Sequence, residues 1–385
     1  MALTVRRTLQ PGERVRVLVV DDSAVIRRLV TLAIERDAEL NVVGTAANGA
    51  IALQRIPQLN PDVVTLDIEM PEMDGLETLR RLRREYPQLR VIMLSTLTER
   101  GAAITLEALT LGADDYVQKV TNEPSLDRSL DRLRQELLPK IRQFFRFPAG
   151  AGAVAAPKSA PGVAAVAALQ GPRPRPKALA VGVSTGGPTA LGAVLPQLPV
   201  DFPLPVLVVQ HMPPLFTRFL AERLDAACPL SVAEAANGME VAPGKIFVAP
   251  GDYHMKVATS GKGISIHLDQ SPPLNSCRPA VDALFASLAE AYGGAILAVI
   301  LTGMGQDGLR GVEVLKRKGA TVLAQDEASS VVWGMPAFVA KAGLADKVLP
   351  LNQLGPEITR RVRIGRERVG EPCPTFATGE VRGPR

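Results

Sequence analysis

Cysteine and histidine are scarce in this sequence, with three of each in 385 residues. Cys228, Cys277 and Cys373 stand far apart and lack metal-ligand spacing. That excludes a disulfide framework and a zinc site, and a reducing cytoplasm fits best. Long apolar runs are also missing. The longest, Ala295 to Leu301, is far too short to cross a bilayer, and the Ala-rich stretch at 149–169 is broken by Pro157, Lys158 and Pro161. The opening residues, MALTVRRTLQPGERV, lack the apolar core of a secretory signal, so no membrane insertion is expected. Charge of one sign is weak as well. The formal net charge is +5, and part of it comes from Arg173, Arg175, Arg360, Arg361 and Arg363. With no helix-turn-helix and no basic recognition helix, nucleic acid is not an expected partner.

What is present is too long for one ordinary core. Between Phe147 and Lys177 the composition shifts to Ala, Gly and Pro, which cannot bury enough apolar surface to offset its ordering entropy. Folded domains are therefore expected at residues 15–138 and 178–366. A linker is expected at 139–177 and a disordered tail at 367–385.

Short apolar runs alternate with amphipathic ones in both segments. VRVLVV (15–20), NVVGTA, DVVTLD (62–67), RVIMLS (90–95) and the end of ADDYVQK read as strands, with helices at 23–35 and over LETLRRLRREY. In the second segment ALAVGV, PVLVVQ, KIFVAP, AILAVILTG and ATVLAQ are strand candidates separated by helices such as PPLFTRFLAERLDAA and DGLRGVEVLKRKG. Such alternation implies two α/β domains with mostly parallel, doubly wound sheets. HMKVATSGKGISIHL alternates about a Ser-Gly-Lys-Gly turn and reads as a β-hairpin.

Open parallel sheets bind ligands beyond the carboxyl ends of their strands. At such ends in the first domain lie Asp21, Asp22 and Asp67, joined by Ser95 and Lys119. One such Asp would be no more than a helix cap. Three together repel unless a cation neutralises them, and three hard oxygens suit Mg²⁺. The motifs VDD, LDIEMPEMDG, LST and YVQK resemble the receiver domain of bacterial response regulators, a flavodoxin-like fold. The resemblance implies that Asp67 is the phosphoacceptor, that Asp21 and Asp22 join it in holding Mg²⁺, that Ser95 and Lys119 contact the phosphoryl group, and that Tyr116 reorients on activation. Val120 stands where receivers commonly carry Pro.

In the second domain ALAVGVSTGGP runs from strand through a Gly-rich turn into a helix opened by Pro188, with Ser184 on the turn. Its GxSxG spacing is that of a nucleophile elbow, although a Ser there can equally be a helix cap. A serine nucleophile needs a base and a group to orient it. His211 follows PVLVVQ, and Asp307 in LTGMGQDG follows AILAVI, both at expected ends of the same sheet. His254 and His267 fall in the hairpin and read as structural. GVSTGG is not the dinucleotide fingerprint GxGxxG, and the order Ser, His, Asp is not that of the α/β-hydrolases.

GVSTGGP, QHMPP, APGDYHM, RPAVDALF and LTGMGQDG together resemble the catalytic domain of the chemotaxis protein-glutamate methylesterases, the CheB family. That resemblance implies a phosphorylation-activated hydrolase with Ser184 as nucleophile, His211 as base and Asp307 as its orienting carboxylate. Backbone N–H groups of Thr185 and Met304 would form the oxyanion hole, and Arg278 would lie near an acidic substrate surface. It further implies glutamine deamidation, methyl-accepting chemotaxis receptors as substrate, a chemotaxis histidine kinase as phosphoryl donor, a cytoplasmic location, and no cofactor for the ester chemistry. The unphosphorylated receiver is expected to pack across the Ser184 face. The competing readings are a receiver-controlled serine hydrolase acting on some non-receptor ester and a response regulator without enzymatic activity.

Overall fold

The computed structural model describes residues 7–96, 98–119, 125–147, 173–261 and 263–363. The expected tail, most of the linker and Val120 lie outside these residues.

The N-terminal domain opens with β1 (Arg7–Thr8) and β2 (Val15–Val20), then alternates α1 (Ala24–Glu35), β3 (Leu40–Ala46), α2 (Gly49–Leu59), β4 (Val63–Asp67), α3 (Gly75–Glu85), β5 (Arg90–Ser95), α4 (Glu99–Thr110), β6 (Asp115–Gln118) and α5 (Leu126–Arg142), ending in β7 (Phe145–Arg146). Its five-stranded sheet has the order β3-β2-β4-β5-β6 and is parallel throughout. Every residue of β4 and β5 is buried. That is why these strands read as continuous apolar runs: helices cover both faces of the sheet. Helix α3 buries Leu79 and Leu82 and turns Arg80 and Arg84 outward, while Arg83 folds inward to bond Asp114 and the carbonyls of Leu89 and Gly112. Each such leucine contributes about 1.5–3 kcal/mol through burial. Helix α5 runs to Arg142, beyond the boundary expected at 138, because Leu137 and Ile141 extend its buried face. β1 and β7 pair in parallel, a two-residue ladder too short to leave a sequence pattern.

The C-terminal domain contains β8 (Ala178–Val183), α6 (Gly187–Val194), β9 (Val206–Gln210), α7 (Phe216–Ala227), β10 (Ser231–Glu234), β11 (Lys245–Val248), β12 (His254–Ser260), β13 (Gly263–Asp269), α8 (Val281–Tyr292), β14 (Ile296–Ile300), α9 (Leu309–Arg317), β15 (Thr321–Gln325), α10 (Met335–Lys341), β16 (Lys347–Leu349) and α11 (Leu351–Arg363). Seven strands form a parallel sheet in the order β10-β11-β9-β8-β14-β15-β16. β12 and β13 form the separate antiparallel hairpin, with His254 opposite Asp269. The order places β8 between β9 and β14. The residues following these three strands therefore emerge side by side at one edge, where open sheets bind their ligands.

Candidate active site

At the carboxyl end of the N-terminal sheet, Ser23 rather than Asp21 or Asp22 caps α1, its side chain accepting from the Ile26 N–H. The acids are thereby left for other work. Asp21, Asp22 and Asp67 each offer an oxygen within 4.8 Å of the others, and Asp21 and Asp67 are buried while Asp22 is exposed. Lys119 Nζ lies 2.8 Å from Asp21 Oδ2 and 2.7 Å from Asp67 Oδ2. Burial, reinforced by the Asp21 charge and opposed by Lys119, pushes the Asp67 carboxyl up to about 6. A divalent cation relieves that crowding, and three carboxylate oxygens are the hard donor set that Mg²⁺ prefers, so the residues fit the ion. Ser95 is fully buried; its Oγ accepts from Thr105 Oγ1 at 2.7 Å and donates to Thr96 O at 3.2 Å.

In the second domain Ser184 follows β8 directly, on a turn closed by the Gly187 N–H donating to Ser184 O (2.8 Å). Two glycines permit this turn. A Cβ at Gly187 would fall 1.8 Å from Gln210 Oε1, and one at Gly303 would fall 2.7 Å from Ser184 Cβ. Gln210, the last residue of β9, donates from Nε2 to Ser184 O (2.9 Å) and His211 O (3.2 Å), tying the two loops together. Sequence reasoning gave it no role of its own: it opens the QHMPP segment, but its burial at the strand end and its bonds to two loop carbonyls show only in the fold.

His211 Nε2 meets Asp307 Oδ2 at 2.8 Å. Asp307, 2% exposed, also accepts from four other donors: Val281 N (2.6 Å) on Oδ2, and Asn275 Nδ2 (2.9 Å), Asp282 N (3.1 Å) and Gly308 N (3.0 Å) on Oδ1. Two of these are the first amides of α8, where the helix dipole favours negative charge. Burial alone would raise the Asp307 carboxyl, but the hydrogen bond and charge of His211 and the α8 amides outweigh it and hold it below its ordinary value. For His211 burial opposes the charged form, yet the hydrogen bond to Asp307 and the contact with Cys277 raise it to about 10. The other ring nitrogen, Nδ1, faces Cys277 Sγ at 3.6 Å.

Ser184 and His211 line one cavity of about 330 Å³, together with Thr185, Asn275, Cys277 and Met304. Among the described residues neither the Thr185 nor the Met304 backbone N–H has a hydrogen-bond partner. Arg278 is otherwise engaged. Its guanidinium bonds Asp252 Oδ1, with Nε at 3.0 Å, and its Nη1 bonds the carbonyls of Gln270 and Ser271. Its charge is matched within the chain by Asp252. His254 is fully buried, its Nδ1 accepting from Ala280 N (3.2 Å), a structural role as expected.

The same cavity is walled on its other side by the first domain, through Leu109, Asp115, Tyr116 and Lys140. Tyr116 stacks on Phe216 of α7 with ring centroids 4.8 Å apart and planes 9° from parallel. Thr185 Oγ1 donates to Asp115 Oδ2 (3.0 Å), and Thr189 Oγ1 donates to Leu109 O (3.0 Å). Arg218 on α7 pairs with Glu99 on α4 at 2.7 Å. None of these contacts was visible in the sequence, because surfaces that meet across a linker leave no periodic mark.

Comparison with known proteins agrees with this division. The family model described as CheB methylesterase matches residues 179–358, and the response regulator receiver domain model matches residues 17–131. A protein-glutamate methylesterase/protein-glutamine glutaminase of Nocardioides sp. is 51% identical over 360 residues, covering 91% of this chain and 96% of that protein. One of Trichodesmium erythraeum is 48% identical, over 90% of this chain and 99% of its own length. A third, from Caulobacter vibrioides, is 49% identical over the same shares of the two chains. The chain belongs to the CheB methylesterase family, as a receiver domain joined to a CheB catalytic domain.

Proposed function

We propose that the chain removes methyl esters from glutamate side chains of chemotaxis receptors, and deamidates glutamines there, through Ser184, His211 and Asp307. The observation that carries this is the 2.8 Å contact of His211 Nε2 with a five-donor, anionic Asp307 in the cavity that Ser184 also lines. With Nε2–H held by Asp307, the lone pair of Nδ1 takes the proton of Ser184 Oγ as the oxygen attacks the γ-carbonyl. The imidazolium so formed is stabilised by Asp307, and it returns the proton to the departing methoxide or amide nitrogen. Water then hydrolyses the acyl-enzyme with His211 again as base. The N–H groups of Thr185 and Met304, unpartnered among the described residues, are suited to the oxyanion, each donor supplying roughly 3–4 kcal/mol in such sites.

Control rests with the first domain. Asp67 accepts a phosphoryl group from a chemotaxis histidine kinase. Asp21, Asp22 and Asp67 would hold Mg²⁺, which would supply positive charge against the phosphate. Lys119 and Ser95 then bond the phosphoryl oxygens. Ser95 must leave Thr105 to do so, and Tyr116 must leave Phe216, which frees the cavity wall. Opening a mostly shut equilibrium fully takes up to about 5.5 kcal/mol of differential stability. The working division is a receiver at 15–138 and a catalytic domain at 178–366, acting in the cytoplasm; among the described residues no helix is long and apolar enough to cross a membrane.

The test is methanol release from methyl-labelled receptor membranes by the full chain and its Ser184→Ala variant. Loss of the triad nucleophile is expected to reduce the rate by about 10⁶-fold at most, to the level of unaided binding. Release at the parental rate by Ser184→Ala would remove this reading.

A further inference from the structure

Opposite the cavity from the receiver, the segment Leu274 to Cys277 reverses direction within four residues. Leu274 N donates to Cys277 O (3.1 Å) and Cys277 N donates to Leu274 O (2.8 Å), with Asn275 and Ser276 both in the left-handed region (φ 51° and 62°). That is the geometry of a type I′ turn, which ordinarily favours Asn followed by Gly. A serine in the second position is tolerated at a cost, so something beyond local preference holds the turn.

What holds it is a bridge between two buried carboxylates. Asn275 Nδ2 donates one hydrogen to Asp282 Oδ2 (2.9 Å) and the other to Asp307 Oδ1 (2.9 Å). Asp282, 8% exposed, is fixed in turn by the Gly311 N–H donating to its Oδ1 (2.7 Å), which anchors the bridge to α9. Two carboxylates this close and this dry repel each other, and a neutral amide between them screens that repulsion while it orients both. At the other end of the turn, Cys277 Sγ contacts His211 Nδ1. One turn thus touches both members of the histidine–aspartate pair from outside.

We infer that Asn275, held by Asp282, is a positioning residue that keeps Asp307 ionised and aimed at His211, so the relay of the proposed triad has two further members. This inference rests on the triad assignment made above. The titratable groups facing the pair are Asp282 from α8, Cys277 from the turn, and Asp115, Tyr116 and Lys140 from the receiver across the cavity.

The experiment measures kcat, KM and the pH profile of methanol release from methyl-labelled receptor membranes, using the full chain and Asn275→Ala, Asn275→Asp and Asp282→Asn. Removing a hydrogen bond to a buried charge lowers kcat roughly ten- to hundred-fold with KM little changed. Asn275→Asp, close in shape, adds negative charge beside Asp307; it should lower kcat and move the low-pH limb upward by roughly one unit. Asp282→Asn removes a charge and should move the same limb downward. A packing role alone would not shift the limb in opposite senses. Should Asn275→Ala fail to fold, Asn275→Asp decides. An unmoved limb with unchanged kcat in Asn275→Asp, or a change confined to KM, overturns the inference. If the triad assignment itself is wrong, Ser184→Ala will retain activity. If only this inference is wrong, Ser184→Ala will be inactive while the Asn275 and Asp282 variants behave as the parent.

Discussion

At the scale of single residues, the proposed chemistry turns on how one buried imidazole is charged. His211 donates to an aspartate that already holds four other donors, and the pair favours imidazolium, raising His211 to about 10. A general base must be neutral to act. A raised value therefore means that activity is low where the imidazole is charged and climbs as pH rises. The low-pH limb of kcat/KM is accordingly expected well above 6.5, the ordinary imidazole midpoint. A profile of methanol release from pH 6 to 10 checks this, and a limb at or below 6.5 would show that the free enzyme does not keep this charged pair. The proposed triad was legible in the sequence as a set of strand-end residues. Ser184, His211 and Asp307 each follow an apolar run, and apolar runs ending in a reactive side chain mark strand ends. The roles of Asn275 and Asp282 were not: Asn275 sits on a turn with no Gly to announce it, and Asp282, although inside the RPAVDALF segment, carries no mark of its contact with Asn275.

At the scale of elements, β8, β9 and β14 bring the candidate site together and α7 carries the contact with the first domain proposed to control it. β8 and β14 are buried throughout, which made them legible as unbroken apolar stretches. The edge strands β10 and β16 are short and half exposed, so no such stretch identified them. The helix α7 presents Phe216 to Tyr116, with Lys140 Nζ 4.7 Å above the centre of the tyrosine ring. An aromatic pair of this kind contributes about 0.5–1.5 kcal/mol beyond its burial. Phe216→Ala is therefore expected to raise the activity of the unphosphorylated chain several-fold, and to leave the phosphorylated rate near that of the parent. Methanol release measured with and without a phosphoryl donor reads both. Phe216 is itself fully buried, so the thermal midpoint is followed alongside; a drop in both rates together would mark a folding defect and not a released latch.

At the scale of the whole molecule, two doubly wound domains share a boundary that passes through the cavity lined by Ser184 and His211. The apolar contact is continuous from one domain core to the other, running through Leu109 and Tyr116 on one side and Phe216 and Met212 on the other. The domain plan and the parallel sheets were legible from alternation and composition alone. That the receiver packs over the Ser184 face was expected; the contacts that set the placement, Tyr116 on Phe216 and Asp115 on Thr185, were not legible, since they form across a linker. The consequence is a single account of control, in which phosphorylation at Asp67 loosens β6 and α4 and uncovers Ser184. It is tested most directly by methanol release from methyl-labelled receptor membranes by the full chain and by Asp67→Asn, each with Mg²⁺, before and after adding acetyl phosphate. The account predicts a rate that rises on adding acetyl phosphate in the parent chain and stays at its starting level in Asp67→Asn. An equal rise in both, or no rise in either, would contradict it.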